Sequence, residues 1–364
     1  MVNLSSQKIK PSREEVFRSL PVPRALSIMI LPSVISQLIV LIYNMADTFY
    51  VGQTHNPYMV GATSLILPVF NISICIAGLA GVGGGSLVSR LLGQGREDEA
   101  RRVSTFSLFL GLAISALFAL VMGVFMRPIL DVLGAGDNTF EYARQYALCV
   151  IVAGGVPTVL SNVLSNLLRS IGRSTAAGFG IVLGGVLNIA LDPLFMFVLL
   201  PDGQEVLGAG VATCLSNCIA CIYFIIILLH SGRGSIITFN PRVGMPERAS
   251  IAAVFAVGVP SAVTSFLFDL DYVILDKLMT TYNDLALAAI GMANTVMAVI
   301  FSLFSMVTTG AAVLVSRLIG GGEGAAAADT IEQGGFLSLA CSAGMTALCL
   351  LTAQPLLRLL MPTA

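Results

Sequence analysis

The chain has 364 residues, of which 56% are hydrophobic and only 11% are charged, and its formal net charge is −1. A soluble protein usually carries about 25% charged residues, so this sequence cannot build a water-facing surface. The composition therefore excludes an ordinary soluble domain, and we expect the lipid bilayer to be the main surrounding of the protein.

Long apolar runs, each of about 20 residues or more and long enough to cross a bilayer, recur along the whole chain. Continuous hydropathy over such lengths predicts helices, because a strand of a membrane barrel would alternate between apolar and polar residues. The predicted fold class is an all-α polytopic membrane protein. We predict nine spans, at about residues 26–50, 58–88, 103–126, 145–168, 175–200, 207–229, 251–275, 285–316 and 333–352.

A phrase that appears twice indicates that the helical bundle is duplicated. Residues 87–95 read Leu-Val-Ser-Arg-Leu-Leu-Gly-Gln-Gly, and residues 314–322, which lie 227 positions later, read Leu-Val-Ser-Arg-Leu-Ile-Gly-Gly-Gly. At nearly the same offset, Pro32-Ser33 recurs as Pro260-Ser261. Internal duplication is typical of secondary transporters.

The predicted organisation follows from this repeat. Six spans per bundle return the chain to its starting side, so the repeats would be parallel and related by an axis along the membrane normal. The second bundle is shorter than the first, and we expect it to be incomplete, with three of six helices. The predicted parts are a cytoplasmic N-terminal segment (1–25), an N-lobe with helices 1–6 (26–230), a cytoplasmic linker (231–250) and a partial C-lobe with helices 7–9 (251–364).

Basic residues predict the orientation. With the N-terminus inside, fifteen of the 19 Lys and Arg residues fall in cytoplasmic segments. This bias predicts a cytoplasmic N-terminus. We expect a multi-pass protein of the cell inner membrane.

Charged and amide side chains within apolar spans are the first candidates for function, because they are costly there. Asp47 lies far along the first span, and Asp192 lies well into the fifth, four residues after Asn188 on the same helical face. Thr213 enters the sixth span at a similar depth. These groups could form an oxygen-rich cation site, or two nearby carboxylates could share a proton. The structural alternatives are a helix cap at Asp47, a kink at Asp192-Pro193 and a hydroxyl bonded to its own helix at Thr213.

A second, weaker set is a possible substrate cavity. Asp269 and Asp271 lie in the seventh span, but two positions apart on a helix they point in different directions. We expect one of them to line a cavity and the other to lie near the outer headgroups, with a structural role equally possible. Asn162 and Asn294 complete this candidate set.

Enzymatic chemistry is not indicated. The sequence has only two His residues, and it has no constellation of nucleophile and base or of metal ligands at one depth. The glycine-rich run at 78–85 lacks the preceding strand and the following Lys of a phosphate loop, so we predict that it serves close helix packing. We expect no cofactor, no nucleic-acid partner and a monomer, with Na⁺ possible only at the carboxylate cluster.

Five motifs in order resemble the multidrug and toxic compound extrusion (MATE) transporters. Together they extend over nearly all of the chain, and the F-type branch named for DNA-damage induction is the most similar. They are Pro32 with 47–52 (Asp-Thr-Phe-Tyr-Val-Gly), 81–90 (Gly-Val-Gly-Gly-Gly-Ser-Leu-Val-Ser-Arg), 168–173 (Leu-Arg-Ser-Ile-Gly-Arg), 188–193 (Asn-Ile-Ala-Leu-Asp-Pro) and 208–213 (Gly-Ala-Gly-Val-Ala-Thr).

This resemblance implies an antiporter with two six-helix lobes that exports amphipathic, often cationic compounds in exchange for protons or sodium ions. It implies a kink at Pro32 and ion coupling at Asp47, Asn188, Asp192 and Thr213. Another branch of the family uses a Glu in the seventh helix, but this chain has Phe268 there. The alternatives are a lipid-linked oligosaccharide flippase of the same superfamily and a non-functional truncated product.

Overall fold

The computed structural model of the protein describes residues 22–230, 235–280, 301, 305 and 307–360. Nearly all of these residues are helical, and none of them lies in a strand. In chain order the helices are α1 (Val22–Gly52), α2 (Pro57–Gly93), α3 (Glu97–Val124), α4 (Met126–Leu133), α5 (Asp137–Ala147), α6 (Gly155–Ser170), α7 (Ser174–Leu194), α8 (Glu205–His230), α9 (Arg248–Thr280), α10 (Val307–Gly320) and α11 (Gly324–Leu360).

The predicted helical membrane fold is confirmed. Within the described residues, six helices are long and apolar enough to cross a bilayer, or seven if the bent pair of α5 and α6 counts as one span. These correspond to the first seven predicted spans. The eighth prediction lies partly outside the described residues and ends in α10, and the ninth falls within α11.

The fourth span differs from its prediction. Instead of one run over 145–168, α5 begins at Asp137, and the chain bends by 45° between α5 and α6. A π-helical turn at Leu148–Ala153 precedes the bend, and the N–H of Gly154 donates to the carbonyl of Cys149 at 2.8 Å. Two consecutive glycines and Pro157, which has no N–H to donate, explain why the regular helix stops there.

The glycine-rich run of α2 packs against three neighbouring helices. A Cβ added at Gly81 would lie 3.0 Å from Nδ2 of Asn166, and one at Gly84 would overlap the hydroxyl of Ser107. A Cβ at Gly83 would lie 2.5 Å from the carbonyl oxygen of Val254 in α9. The predicted packing role of this run is confirmed, because any larger side chain would push α3, α6 or α9 away.

The polar segment before α9, residues 235–247, lies along the first turns of α3. The hydroxyl of Ser104 donates to the carbonyl of Ile236 at 2.6 Å, and the N–H of Glu247 donates to the Glu99 carboxylate at 2.8 Å. The side chain of Ile237 is buried in the N-lobe core. The predicted linker is therefore attached to the N-lobe over residues 235–247.

Candidate functional site

Three of the four predicted coupling residues lie in direct contact between α7 and α8. The amide nitrogen of Asn188 donates to Oδ1 of Asp192 at 3.2 Å and to Oγ1 of Thr213 at 3.3 Å. Asp192 is 0% exposed and Asn188 only 3% exposed. One side-chain amide thus joins a fully buried carboxyl group to a hydroxyl of the next helix.

The remaining oxygen atoms of this cluster lack partners. Oδ1 of Asn188, Oδ2 of Asp192 and Oδ1 of Asp47 are buried and accept no hydrogen bond from any part of the chain that the structure describes. An unsatisfied buried acceptor typically costs about 1–3 kcal/mol, and more when it is charged. Three such oxygens in one region are unusual for a native protein, and acceptors of this type suit a proton or a hard cation.

Asp47 belongs to the same region, although its buried Oδ1 has no hydrogen-bond partner among the described residues. Asp47 is close enough for its charge to act on the carboxyl group of Asp192. Close packing of α1 on α7 brings it there: a Cβ at Gly185 would lie 3.0 Å from the Tyr43 ring, one turn before Asp47. Gly185 is likewise nearly one turn before Asn188. The contact between Gly185 and Tyr43 therefore places the side chains of Asp47 and Asn188 at a similar level along the two helices.

Pro32 lies inside α1, which continues through it. A Cβ at Gly178 of α7 would lie 2.8 Å from the Pro32 carbonyl oxygen, so the two helices also meet closely at this level. Pro32 has no N–H and therefore interrupts the hydrogen bonding of α1. The kink itself stays a prediction.

Thr213 is positioned by two glycines at the start of α8. A Cβ at Gly208 would lie 2.8 Å from the backbone of Phe195, at the start of the second π-helical turn, Phe195–Leu199. A Cβ at Gly210 would lie 2.9 Å from that of Cys149, in the first π-helical turn. Thr213 follows Gly210 by three residues, so these contacts determine how near its hydroxyl lies to Asn188.

Two tyrosines lie within the electrostatic range of the carboxylates and were missed by the sequence reasoning. Tyr146 is buried, and the charges of both Asp47 and Asp192 act on its phenol. The charge of Asp47 also acts on Tyr43. The spacing of four residues between Tyr43 and Asp47 places both side chains on one helical face, so Tyr43 could have been found from the sequence. Tyr146 is distant in the sequence from both carboxylates, so no local pattern indicates it.

Among the described residues, the members of the second predicted set do not form one group. Asp269 accepts a hydrogen bond from Nδ2 of Asn71 at 2.9 Å, so it joins α9 to α2, and Asn71 is a partner that the sequence reasoning missed. Asp271 is exposed. The Asn162 amide donates to the carbonyl of Thr158 in its own helix at 2.9 Å. Asn294 lies outside the described residues.

The long apolar helices, the repeated phrase and the buried polar cluster define a polytopic membrane protein whose organisation is typical of secondary transporters. The MatE family model matches residues 32–194 and 260–364, which is well over half of the chain. The protein belongs to the MatE family, and the resemblance to multidrug and toxic compound extrusion transporters is confirmed.

Curated relatives agree with this assignment. The chain is 30% identical over 277 residues to the multidrug export protein MepA of Staphylococcus aureus (strain NCTC 8325 / PS 47), an alignment that covers 76% of this chain and 60% of that protein. It is 30% identical over 263 residues to MepA of Staphylococcus haemolyticus (strain JCSC1435), covering 72% of this chain and 57% of that protein. The chain thus spans about 60% of the length of these relatives.

Solved structures share the fold. An outward-facing multidrug resistance MATE family transporter of the MOP superfamily superposes with a TM-score of 0.86 at 23% identity, over 98% of this chain and 77% of that one. A MOP superfamily transporter from Pyrococcus furiosus, described as having a binding pocket of reverse polarity, gives 0.75 at 24% identity, over 91% and 71%. At these identities the likeness establishes the architecture.

Proposed function

We propose that the protein is a secondary active antiporter that exports amphipathic or cationic organic compounds in exchange for protons or sodium ions. Family membership and the description of its relatives as multidrug export proteins support the export of small molecules. The observation that carries the coupling proposal is the set of three unsatisfied oxygens of Asp47, Asn188 and Asp192 in the N-lobe.

Ion binding at this cluster has a direct physical reason. The carboxylates of half-buried Asp47 and fully buried Asp192 repel each other, and neither is compensated by a basic partner within the described residues. A single positive charge, whether a proton on one carboxylate or a sodium ion between oxygens, relieves that repulsion and satisfies acceptors. The Thr213 hydroxyl adds a neutral oxygen at the edge of the cluster.

Alternating access then requires the ion to bind one state of the transporter more tightly than the other. A ligand shifts a conformational equilibrium only by its difference in affinity between the two states. The cluster lies between α1, α7 and α8, so a movement of α1 against α7 would separate Asp47 from Asp192 and weaken the ion site. An organic cation that binds the other state is moved in the opposite direction.

Substrate contacts are proposed in a second region. Asp269 lies between the lobes in contact with Asn71, and its carboxylate could attract a cationic substrate. Two further candidates for substrate contact are weaker: Asn162, which is half-buried on α6, and Asp271, which is exposed. We further propose an inner-membrane protein with a cytoplasmic N-terminus that acts as a monomer.

Transport driven by imposed gradients tests the proposal. The protein is reconstituted in lipid vesicles, and the vesicles are loaded with ethidium, a fluorescent organic cation. Either a proton gradient or a sodium gradient is then imposed across the vesicle membrane. We expect one gradient to drive ethidium movement against its concentration while the other has no effect. If neither gradient drives movement at any polarity, the antiport proposal is wrong.

A further inference from the structure

One face of α6 carries a line of polar side chains inside the N-lobe. At about 3.6 residues per turn, its positions fall within about 100° of the helix surface. From the start of α6 to its end they are Thr158, Ser161, Asn162, Ser165 and Arg169. Asn162 is half-buried, and the other four are at most 7% exposed. We name these residues the α6 stripe.

The α6 stripe begins near the proposed coupling cluster. The Ser161 hydroxyl donates to the carbonyl of Asn217 in α8 at 3.4 Å. Asn217 follows Thr213 by four residues, a rise of about 6 Å, and Thr213 accepts from the Asn188 amide. A further rise of about 12 Å separates Ser161 from Arg169, at the end of α6 that the positive-inside bias assigns to the cytoplasm. The stripe therefore leads from the level of the cluster towards the cytoplasmic face.

The cytoplasmic end of the stripe carries an uncompensated positive charge. Oγ of Ser165 and Nε of Arg169 are buried and have no hydrogen-bond partner among the described residues. None of the ion pairs within the described part of the chain includes Arg169. Glu99, a buried acid in the first turn of α3, instead accepts from the N–H of Glu247 and pairs with Arg102 at 3.8 Å. A guanidinium group stays protonated in proteins, so Arg169 keeps its charge.

A line of buried polar groups is a hazard in an ion-coupled transporter. Buried hydroxyl and amide groups that lack protein partners are commonly satisfied by water. A chain of water molecules along the stripe would conduct protons from the coupling cluster to the cytoplasm. Such conduction would dissipate the gradient that drives transport.

We propose that Arg169 is an electrostatic barrier that prevents protons and other cations from leaking along the α6 stripe. This inference rests on the proposed antiport function. A fixed Arg in a polar passage excludes cations by repulsion. At about 6 Å and an effective dielectric constant of about 20, the repulsion lowers the occupancy of a unit positive charge roughly 100-fold. The coupling cluster then exchanges its ion only through the conformational cycle.

Proton leak in vesicles tests the barrier without an organic substrate. The full chain is reconstituted with the pH dye pyranine inside, and a proton gradient is imposed. Valinomycin with equal potassium concentrations on both sides cancels the membrane potential. The protein-dependent leak of Arg169→Gln should be roughly 10- to 100-fold that of the wild-type chain. Arg169→Lys keeps the charge and should stay as tight as the wild-type chain.

Two buried serines of α6 test whether the stripe is the route of the leak. In the Arg169→Gln background, Ser165→Ala removes an unpartnered hydroxyl of the stripe and should slow the leak several-fold. Ser170→Ala is the matched control, because this buried hydroxyl lies outside the stripe and donates to the carbonyl of Leu167 in its own helix at 2.7 Å. It should leave the leak unchanged.

A second variant keeps the test open if Arg169→Gln does not fold, which thermal unfolding in detergent shows. Ser165→Asp places a carboxylate one turn before Arg169, where it neutralises the guanidinium charge. It should leak at least tenfold faster than Ser165→Asn, which has the same size and no charge. Equal leak in these two variants would overturn the barrier proposal.

The outcomes separate this proposal from the antiport proposal. If folded Arg169→Gln is as tight as the wild-type chain, or if Arg169→Lys leaks as fast as Arg169→Gln, the barrier proposal is wrong. If Ser165→Ala and Ser170→Ala change the leak equally, the stripe is not the route, and the proposal fails. If neither gradient drives ethidium transport in the wild-type chain, the antiport proposal fails, whereas the leak rates still decide whether Arg169 is a barrier.

Discussion

The substitution Asp192→Asn tests the coupling site most directly. It keeps the size and shape of a fully buried side chain and removes its charge. It also leaves the neighbouring Asn188 and Thr213 in place, so the cluster loses one carboxylate and little else. We expect ion-driven transport to be lost while the protein still inserts and folds.

The size of the effect follows from the contacts of Asp192. Oδ2 has no partner among the described residues, so it is the atom that an ion would contact directly. An interaction with a charged acceptor contributes about 1.5–3 kcal/mol, which corresponds to roughly a 10- to 150-fold loss in ion affinity. The free energy of unfolding should change by only about 1–2 kcal/mol, because the lost charge was itself costly to bury.

The assay is ethidium transport in vesicles under the driving gradient, with ion dependence measured over at least a 100-fold concentration range. Thermal unfolding in detergent shows whether the variant is folded. Asp131→Asn, the same change at an exposed carboxylate at the end of α4, is the matched control and should transport normally. Wild-type transport and ion dependence in a folded Asp192→Asn protein would refute the assignment.

Two further predictions concern how the site is held. Thr213→Val should weaken the ion response by roughly tenfold, because it removes the hydroxyl oxygen that accepts from the Asn188 amide. Thr213→Ser keeps a hydroxyl and should keep the ion response. Equal ion responses in the two variants would contradict the role of the hydroxyl. Gly210→Ala should lower the free energy of unfolding by about 1–3 kcal/mol and weaken ion dependence, since a Cβ there would lie 2.9 Å from that of Cys149. Its control is Gly61→Ala on α2, where a Cβ meets nothing within 4 Å, and similar stability and ion dependence in the two variants would argue against positioning by Gly210.

Much of the fold was predictable because hydropathy is a local property. Each long apolar run needs no knowledge of its neighbours to indicate a span, and the first seven predicted spans correspond to the helices and the bent pair. The fourth span was predicted less well, because the hydropathy of a segment does not show whether its helix is straight or bent. The Gly154-Gly155 pair and Pro157 were visible signals of that break, but the bend depends on packing around them.

The candidate site was predictable to the extent that its residues are unusual. Asp47 and Asp192 stand out because carboxylates are rare within apolar spans, and Asn188 shares a helical face with Asp192. Asp269 was equally visible, yet its partner Asn71 was not, because an Asn on a long helix has many possible neighbours. Only the packing of α9 on α2 selects that pair.

The sequence by itself determined the class of protein, the duplication and the candidate carboxylates. Composition, repetition and a charge within an apolar span can all be recognised from the order of residues alone. The tertiary structure alone decided that Tyr146 packs beside Gly210, that the glycines of α8 pack against the two π-helical turns, and that the two copies of the repeated phrase contact each other. These are contacts between helices distant in the chain. They depend on which helical faces pack, and the apolar pattern of a membrane helix, uniform around its axis, does not specify that choice.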